Sequence, residues 1–257
     1  MRGRLQTALA VSTMFATTVV IAAAPAQATT TAPETATVTS IQPNSDGTIT
    51  ETTYTPAGAV TPDQLAQKLR ASGVQNVSVR KSGEFTTMAA ACSYGTARTW
   101  PSSATCFVKW SKNGAVRPII DFVDHSGASW PVGRAVTKWN ETSGIDSIYR
   151  PKSSGCDGAP AHCVNVYSGN YGDNGWYGLT SRTLNSAGTY YTGASVKLND
   201  YYGGSETEKW SSACHELGHV LGLDHNTSNT SCLYTPRSPS RSKYPNGNDF
   251  TLLERYY

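Results

Sequence analysis

The chain has 257 residues, a net charge of +3 and only 15% charged side chains. That thin, slightly basic charge forms no dense lysine–arginine cluster and argues against a nucleic-acid partner; Arg237, Arg241 and Lys243 read as a solvated loop. No stretch beyond Ala28 is apolar for long enough to span a bilayer, which argues against a membrane protein.

Taken in chain order, Met1–Ala28 has the anatomy of a secretory signal. Arg2 and Arg4 give a basic start, Ala8–Ala24 is largely small and apolar, and Ala26-Gln27-Ala28 is an A-x-A cleavage site. An exported, extracellular protein is expected. All six cysteines (Cys92, Cys106, Cys156, Cys163, Cys214, Cys232) follow residue 91. An even number in an exported chain predicts disulfides. The expected pairs are neighbours in sequence: Cys92–Cys106, Cys156–Cys163 and Cys214–Cys232. Zinc ligation by thiolate is disfavoured, because no C-x-x-C occurs and the compartment is oxidising.

Residues 29 to about 55 are rich in Thr, Ala, Pro and Ser and read as extended or disordered. Thr61-Pro62-Asp63-Gln64 opens a short helix, with Thr61 as cap, Pro62 in the first turn and Leu65 and Leu69 on one face. Asn76–Val79 reads as a strand. All six tryptophans, like the cysteines, lie beyond residue 90. This compositional break predicts a pro-segment over 29–88 and a single domain over 89–257, long enough for a sizeable core.

Within that domain, Arg117–Val123 predicts a strand. Trp130–Glu141 predicts a helix with Val132, Ala135, Val136 and Trp139 inward, ended by Ser143-Gly144. Val164–Tyr167, Trp176–Thr183 and Ala194–Asn199 predict further strands. Ser205-Glu206-Thr207-Glu208 is a capping box. The helix it opens carries Trp210, Ala213, Cys214, Leu217, Val220 and Leu221 as its buried stripe. Asp249–Tyr256 predicts a closing helix, with Leu252, Leu253 and Tyr256 inward. Strands and helices mixed in this way predict an α/β (α+β) fold.

The chemistry sits in residues 215–225, which read H-E-x-x-H-x-x-G-x-x-H. On a helix His215 and His219 stand one above the other, with Cβ atoms about 5–6 Å apart, so both reach one metal ion. Gly222 accepts positive φ, ends the helix and lets the chain bring in His225 as a third ligand. Three protein ligands leave zinc's fourth tetrahedral position open, the mark of a catalytic site. Glu216, next to the first ligand, is placed as the general base and acid for a zinc-activated water. Ser168–Gly175 offers oxygen atoms and glycines for a calcium ion but matches no EF-hand spacing, so an ordinary loop is the better reading. His125 and His162 have no ligand-spaced partners and read as structural or surface residues.

The extended motif resembles that of the metzincin zinc endopeptidases, and residues from about 115 to the end are most similar in element order to a small secreted bacterial matrixin-type member. The resemblance implies a twisted mixed sheet with an antiparallel edge strand, here Trp176–Thr183, which holds extended substrate by strand addition. It also implies a zinc-binding active-site helix and a C-terminal helix. Three features depart from the family. Leu233, in Ser231–Pro236, stands where the family has a methionine beneath the zinc. No cysteine precedes Cys92, so any latency works without a thiolate. The third ligand is read as His225, although some small bacterial relatives use Asp and Asp224 is adjacent. Tyr234 is placed as a wall of the specificity pocket or a donor to the oxyanion, and Leu233–Pro236 with Arg237-Ser238-Pro239 as pocket lining.

The reading that follows is a secreted, monomeric zinc endopeptidase acting on protein or peptide substrates. Two alternatives stay open: a zinc hydrolase of the same fold acting on cell-wall or other amides, and a secreted binding protein that keeps a metal fold without turnover. The second leaves the retained Glu216 without a purpose.

Overall fold

A computed structural model describes residues 36–81, 92–100, 102, 105–235 and 240–257. The signal-like Met1–Ala28, the start and end of the expected pro-segment, and Arg237-Ser238-Pro239 lie outside the described residues. The elements are β1 (Ala36–Pro43), β2 (Ile49–Pro56), α1 (Pro62–Ala71), β3 (Val77–Lys81), β4 (Ser93–Tyr94), β5 (Ala97–Arg98), β6 (Ile119–His125), α2 (Val132–Trp139), β7 (Asp146–Pro151), β8 (His162–Gly169), β9 (Trp176–Leu184), β10 (Tyr191–Asn199), α3 (Glu206–Val220) and α4 (Gly247–Tyr256). The expected α/β class stands. An eight-stranded mixed sheet runs in the order β3-β1-β2-β9-β10-β8-β6-β7. Strands β6, β7, β8 and β10 are parallel, and β9 is antiparallel to β10.

The main departure from expectation lies at β9. It is the antiparallel margin of the strands that follow residue 89, but its outer edge is not free. β2 pairs with it antiparallel along its length, from Ile49↔Leu184 to Thr55↔Gly178. Residues 36–43 and 49–56, expected to be extended or disordered, are therefore ordered strands of the sheet. Their polarity disguised them. Thr37, Thr39, Glu51, Thr53 and Thr55 are buried, and their alternation along the strands aims them at α3. A hydroxyl or carboxylate tolerates burial when it is hydrogen-bonded, and local apolar content does not report that. The β1–β2 turn has a local cause: Asp46 Oδ1 accepts from the Thr48 amide and hydroxyl, and Gly47 takes φ +82.

The opposite face of this hairpin carries a smaller apolar cluster. Val38 and Tyr54 pack with Leu65, Ala66 and Leu69 of α1 and with Trp176 and Leu179 of β9. α1 has the full capping box, Thr61 with Gln64. The larger core lies between the remaining strands and α2 and α3, where Ile120, Phe122, Val164, Val196 and Leu198 meet Trp139, Leu217 and Val220. Each such side chain contributes about 1.5–3 kcal/mol by burial. Three disulfides staple the loops: Cys92–Cys106, Cys156–Cys163 and Cys214–Cys232. None of the described helices is long and apolar enough to cross a membrane.

Candidate metal and catalytic site

The site is built on the last turns of α3. Ser205 caps its start, accepting from the Glu208 amide while Glu208 accepts from the Ser205 amide. Its end is a Schellman turn: the Gly222 amide reaches His219 O (3.1 Å), the Leu223 amide reaches Gly218 O (3.1 Å), and Gly222 sits at φ +94. A side chain at Gly222 would meet Phe107 Cε2 at 2.8 Å and Val108 O at 3.0 Å, so the position is also sterically closed. The turn delivers His225 back beneath the helix. One nitrogen from each of His215, His219 and His225 lies within 4.8 Å of the others, and all three residues are buried.

The outer nitrogens determine the tautomers. His215 Nδ1 faces Cys232 O at 2.8 Å and His219 Nδ1 faces Leu223 O at 2.9 Å. Carbonyls only accept, so both Nδ1 atoms carry hydrogen and both Nε2 atoms are bare when the rings are neutral. Burial holds both rings well below the usual histidine range, which keeps them neutral. The two bare Nε2 atoms stand 3.1 Å apart. His225 Nδ1 pairs with Thr37 Oγ1 (2.9 Å), and its buried Nε2 has no partner. Two lone pairs facing each other beside a third orphaned nitrogen form a donor set that fits a cation, and imidazole nitrogen suits zinc. The Nδ1 contacts to backbone carbonyls orient the rings.

Glu216 is fully buried beside this cluster. Thr55 donates to its Oε1 (2.6 Å), and Thr180 lies 2.7 Å from its Oε2. Burial pushes its carboxyl up to about 7, against the opposing effect of the two hydroxyls. Gly178 makes this fit possible, since a Cβ there would lie 2.5 Å from Glu216 Oε1. Leu233, fully buried, forms the floor with Trp139. Both press on α3 at Gly218, where a Cβ would meet Trp139 Cζ2 at 2.7 Å and Leu233 Cδ2 at 2.8 Å. The Cys214–Cys232 disulfide ties this floor to the helix. Tyr234 is half-buried just beyond, its carbonyl accepting from Arg241 Nη1 at 3.4 Å.

One assignment changes. Arg241 is not a solvated loop residue: it is 3% exposed and donates to Ser211 and Ser212 of α3. The Ser168–Gly175 loop gives no support to calcium, and several of its oxygens already accept from protein donors. Asp173 Oδ1 takes Lys68 and Tyr202, while Gly172 O and Asn174 Oδ1 take Asn199. His125 pairs with Asn165, and His162 with Ser111 O, as structural residues do. Thr37, Thr55, Thr180, Arg182 and Trp100 surround the site and carry no signal in the linear sequence.

No protein-family model matches this chain, and no curated protein matches it. Among solved structures it is similar to the archaemetzincin of Methanopyrus kandleri. The identity is 16% and the TM-score 0.35, over 55% of this chain and 96% of that one.

Proposed function

We propose that the chain is a secreted zinc-dependent endopeptidase of the metzincin kind, made with residues 29–88 as a pro-segment. The observation that carries this reading is the convergence of three imidazoles, with bare or orphaned Nε2 atoms, beside one buried carboxylate. His215, His219 and His225 would hold the metal. Bound there, zinc would supply Lewis acidity toward water and the scissile carbonyl. Glu216 takes the proton of the attacking water and hands it to the leaving amine. β9 is the strand along which an extended peptide adds, held by main-chain bonds. The three disulfides favour an extracellular setting.

The pro-segment reading rests on where the N-terminal hairpin lies. β2 takes the substrate's place along β9, Thr55 occupies Glu216, and Thr37 occupies His225. Latency then needs no cysteine. The test is casein hydrolysis by the chain after cleavage at a specific site placed between Lys81 and Cys92, wild type beside Glu216→Ala, with zinc quantified in both. Full zinc in both and hydrolysis only by the wild type supports the reading. Full zinc with no hydrolysis of casein or short peptides by either protein overturns it in favour of a binding role.

A further inference from the structure

Arg182 sits toward the end of β9, on the face toward α3, and is completely buried. Its guanidinium lies 4.2 Å from the centre of the Trp100 ring. Nη1 donates to His219 O (3.2 Å), Nη2 donates to Thr53 Oγ1 (2.8 Å), and Nε has no partner. A buried cation requires a counter-charge. Among the described residues, the carboxylate in ion-pair range of Arg182 is Glu51, with Oε2 at 3.7 Å. The same oxygen accepts from Trp100 Nε1 at 2.7 Å, and Oε1 pairs with Arg80 at 2.9 Å.

Ownership of these groups matters. Glu51, Thr53 and Arg80 belong to the N-terminal segment, while Arg182 and Trp100 belong to the domain that carries the site. If the segment leaves, Glu51 departs with its own partner Arg80. Arg182 and the indole N–H then remain as an unmatched cation and donor at the lip of the site. β2 runs antiparallel to β9 with Thr55 opposite Gly178 and Glu51 opposite Arg182. Side chains two apart share a face, so residues 51, 53 and 55 all point toward α3. A peptide adding in this register places one residue against Glu216 and the residue four positions earlier against Arg182 and Trp100.

We infer that Arg182 and Trp100 form a specificity subsite for a carboxylate side chain, and that Glu51 is its internal placeholder. The preferred substrates are extended peptides with glutamate four residues before the residue facing Glu216. Aspartate, one methylene shorter, serves less well. Charge-assisted contacts from a guanidinium and an indole N–H to one carboxylate discriminate against the neutral amide of the same shape. This inference rests on the peptidase reading and names the substrate class for that site.

The experiment uses the zinc-loaded chain cleaved between Lys81 and Cys92, with peptides identical except for Glu, Asp, Gln or Lys at the chosen position. The expected kcat/KM is at least about tenfold higher for Glu than for Gln, and lowest for Lys. Trp100→Phe keeps the ring that Arg182 stacks on and removes the donor, so the Glu-over-Gln ratio falls several-fold. Arg182→Met abolishes it where the protein folds. A second arm needs no turnover: cleaved Glu216→Ala protein binds the Glu peptide more tightly than the Gln peptide, and Glu51→Gln speeds release of the N-terminal piece. Hydrolysis with equal rates for Glu and Gln overturns the subsite and leaves the peptidase reading standing. No hydrolysis of any peptide overturns the peptidase reading, and the binding arm then decides the subsite alone. Equal binding of both peptides together with unchanged release by Glu51→Gln overturns it.

Discussion

The Thr55 hydroxyl donates to Glu216 Oε1 across 2.6 Å, joining residues 161 positions apart. One end of this bond belongs to a strand added to the sheet, the other to the carboxylate proposed to move the proton. Thr55→Val keeps the shape and leaves a buried acceptor unpaired, which costs about 1–3 kcal/mol. The intact chain should melt lower and, loaded with zinc, should hydrolyse peptides before any cleavage. Thermal denaturation paired with a peptide assay on the uncut chain checks both; unchanged latency would separate Thr55 from the inhibitory contact.

Gly178→Ala should leave metal binding intact and displace Glu216, the proposed base. The added Cβ would lie 2.5 Å from Glu216 Oε1 and 2.9 Å from its Cγ, so the carboxylate must move. Displacement of a catalytic group on the scale of an ångström lowers turnover by about 10²-fold. Zinc content should equal that of the wild type while kcat falls; a loss of zinc instead would show that the helix itself had shifted.

Chelation separates the proposed ligands from the proposed base. Metal that binds only the folded chain raises its stability by mass action. A strong chelator should lower the melting temperature of the wild type and of Glu216→Ala alike. It should do nothing to a variant lacking both His215 and His219. An unchanged wild-type transition on metal removal would count against the three imidazoles as ligands.

Removing the Cys214–Cys232 disulfide by paired serine substitution should act twice. The closed loop is worth about 2–4 kcal/mol. The carbonyl that orients His215 belongs to Cys232 itself, at 2.8 Å from Nδ1. Loss of such an outer contact weakens metal affinity by about 10–100-fold. Denaturant unfolding and a zinc competition titration read the two effects independently.

Asp249 offers a pH test on a buried group that is not itself a candidate metal ligand. Burial raises its carboxyl above the usual range, opposed by bonds from Ser231, the Asn246 amide and Asn226. The folded chain therefore holds this proton to higher pH than the unfolded chain does. Its contribution to stability is greatest at low pH and declines as pH rises from the ordinary aspartate value through the raised one. Asp249→Asn loses acceptors and is less stable throughout, but the difference from wild type should narrow as pH rises upward from the ordinary aspartate range. Urea midpoints across that range measure it; a difference that widens with pH would reverse the sign.

Much of this was legible in the linear chain, because local rules govern it. Ser205 with Glu208 and Thr61 with Gln64 are caps read over three residues, and both form. The i, i+4 spacing puts His215 and His219 together by helix geometry alone, and Gly222 takes the left-handed conformation that its place after the last turn predicts. The buried stripe of α3 and the strands β6, β8, β9 and β10 followed from periodicity, within a residue or two at most ends.

What surrounds those residues was decided only in three dimensions. Nothing local says that Thr37 meets His225, that Thr55 meets Glu216, or that Glu51 faces Arg182; these contacts span the sheet and follow from the β2–β9 register. Arg241 read as solvent-facing because a lone arginine in a polar loop looks the same whether or not two serines of a distant helix await it. Residues 205–225 carry in themselves the helix and the three converging imidazoles, since helix spacing and a glycine turn are short-range geometry. The tertiary structure decided which strand lies against them, because pairing of polar strands is settled by hydrogen bonds between residues far apart in the chain.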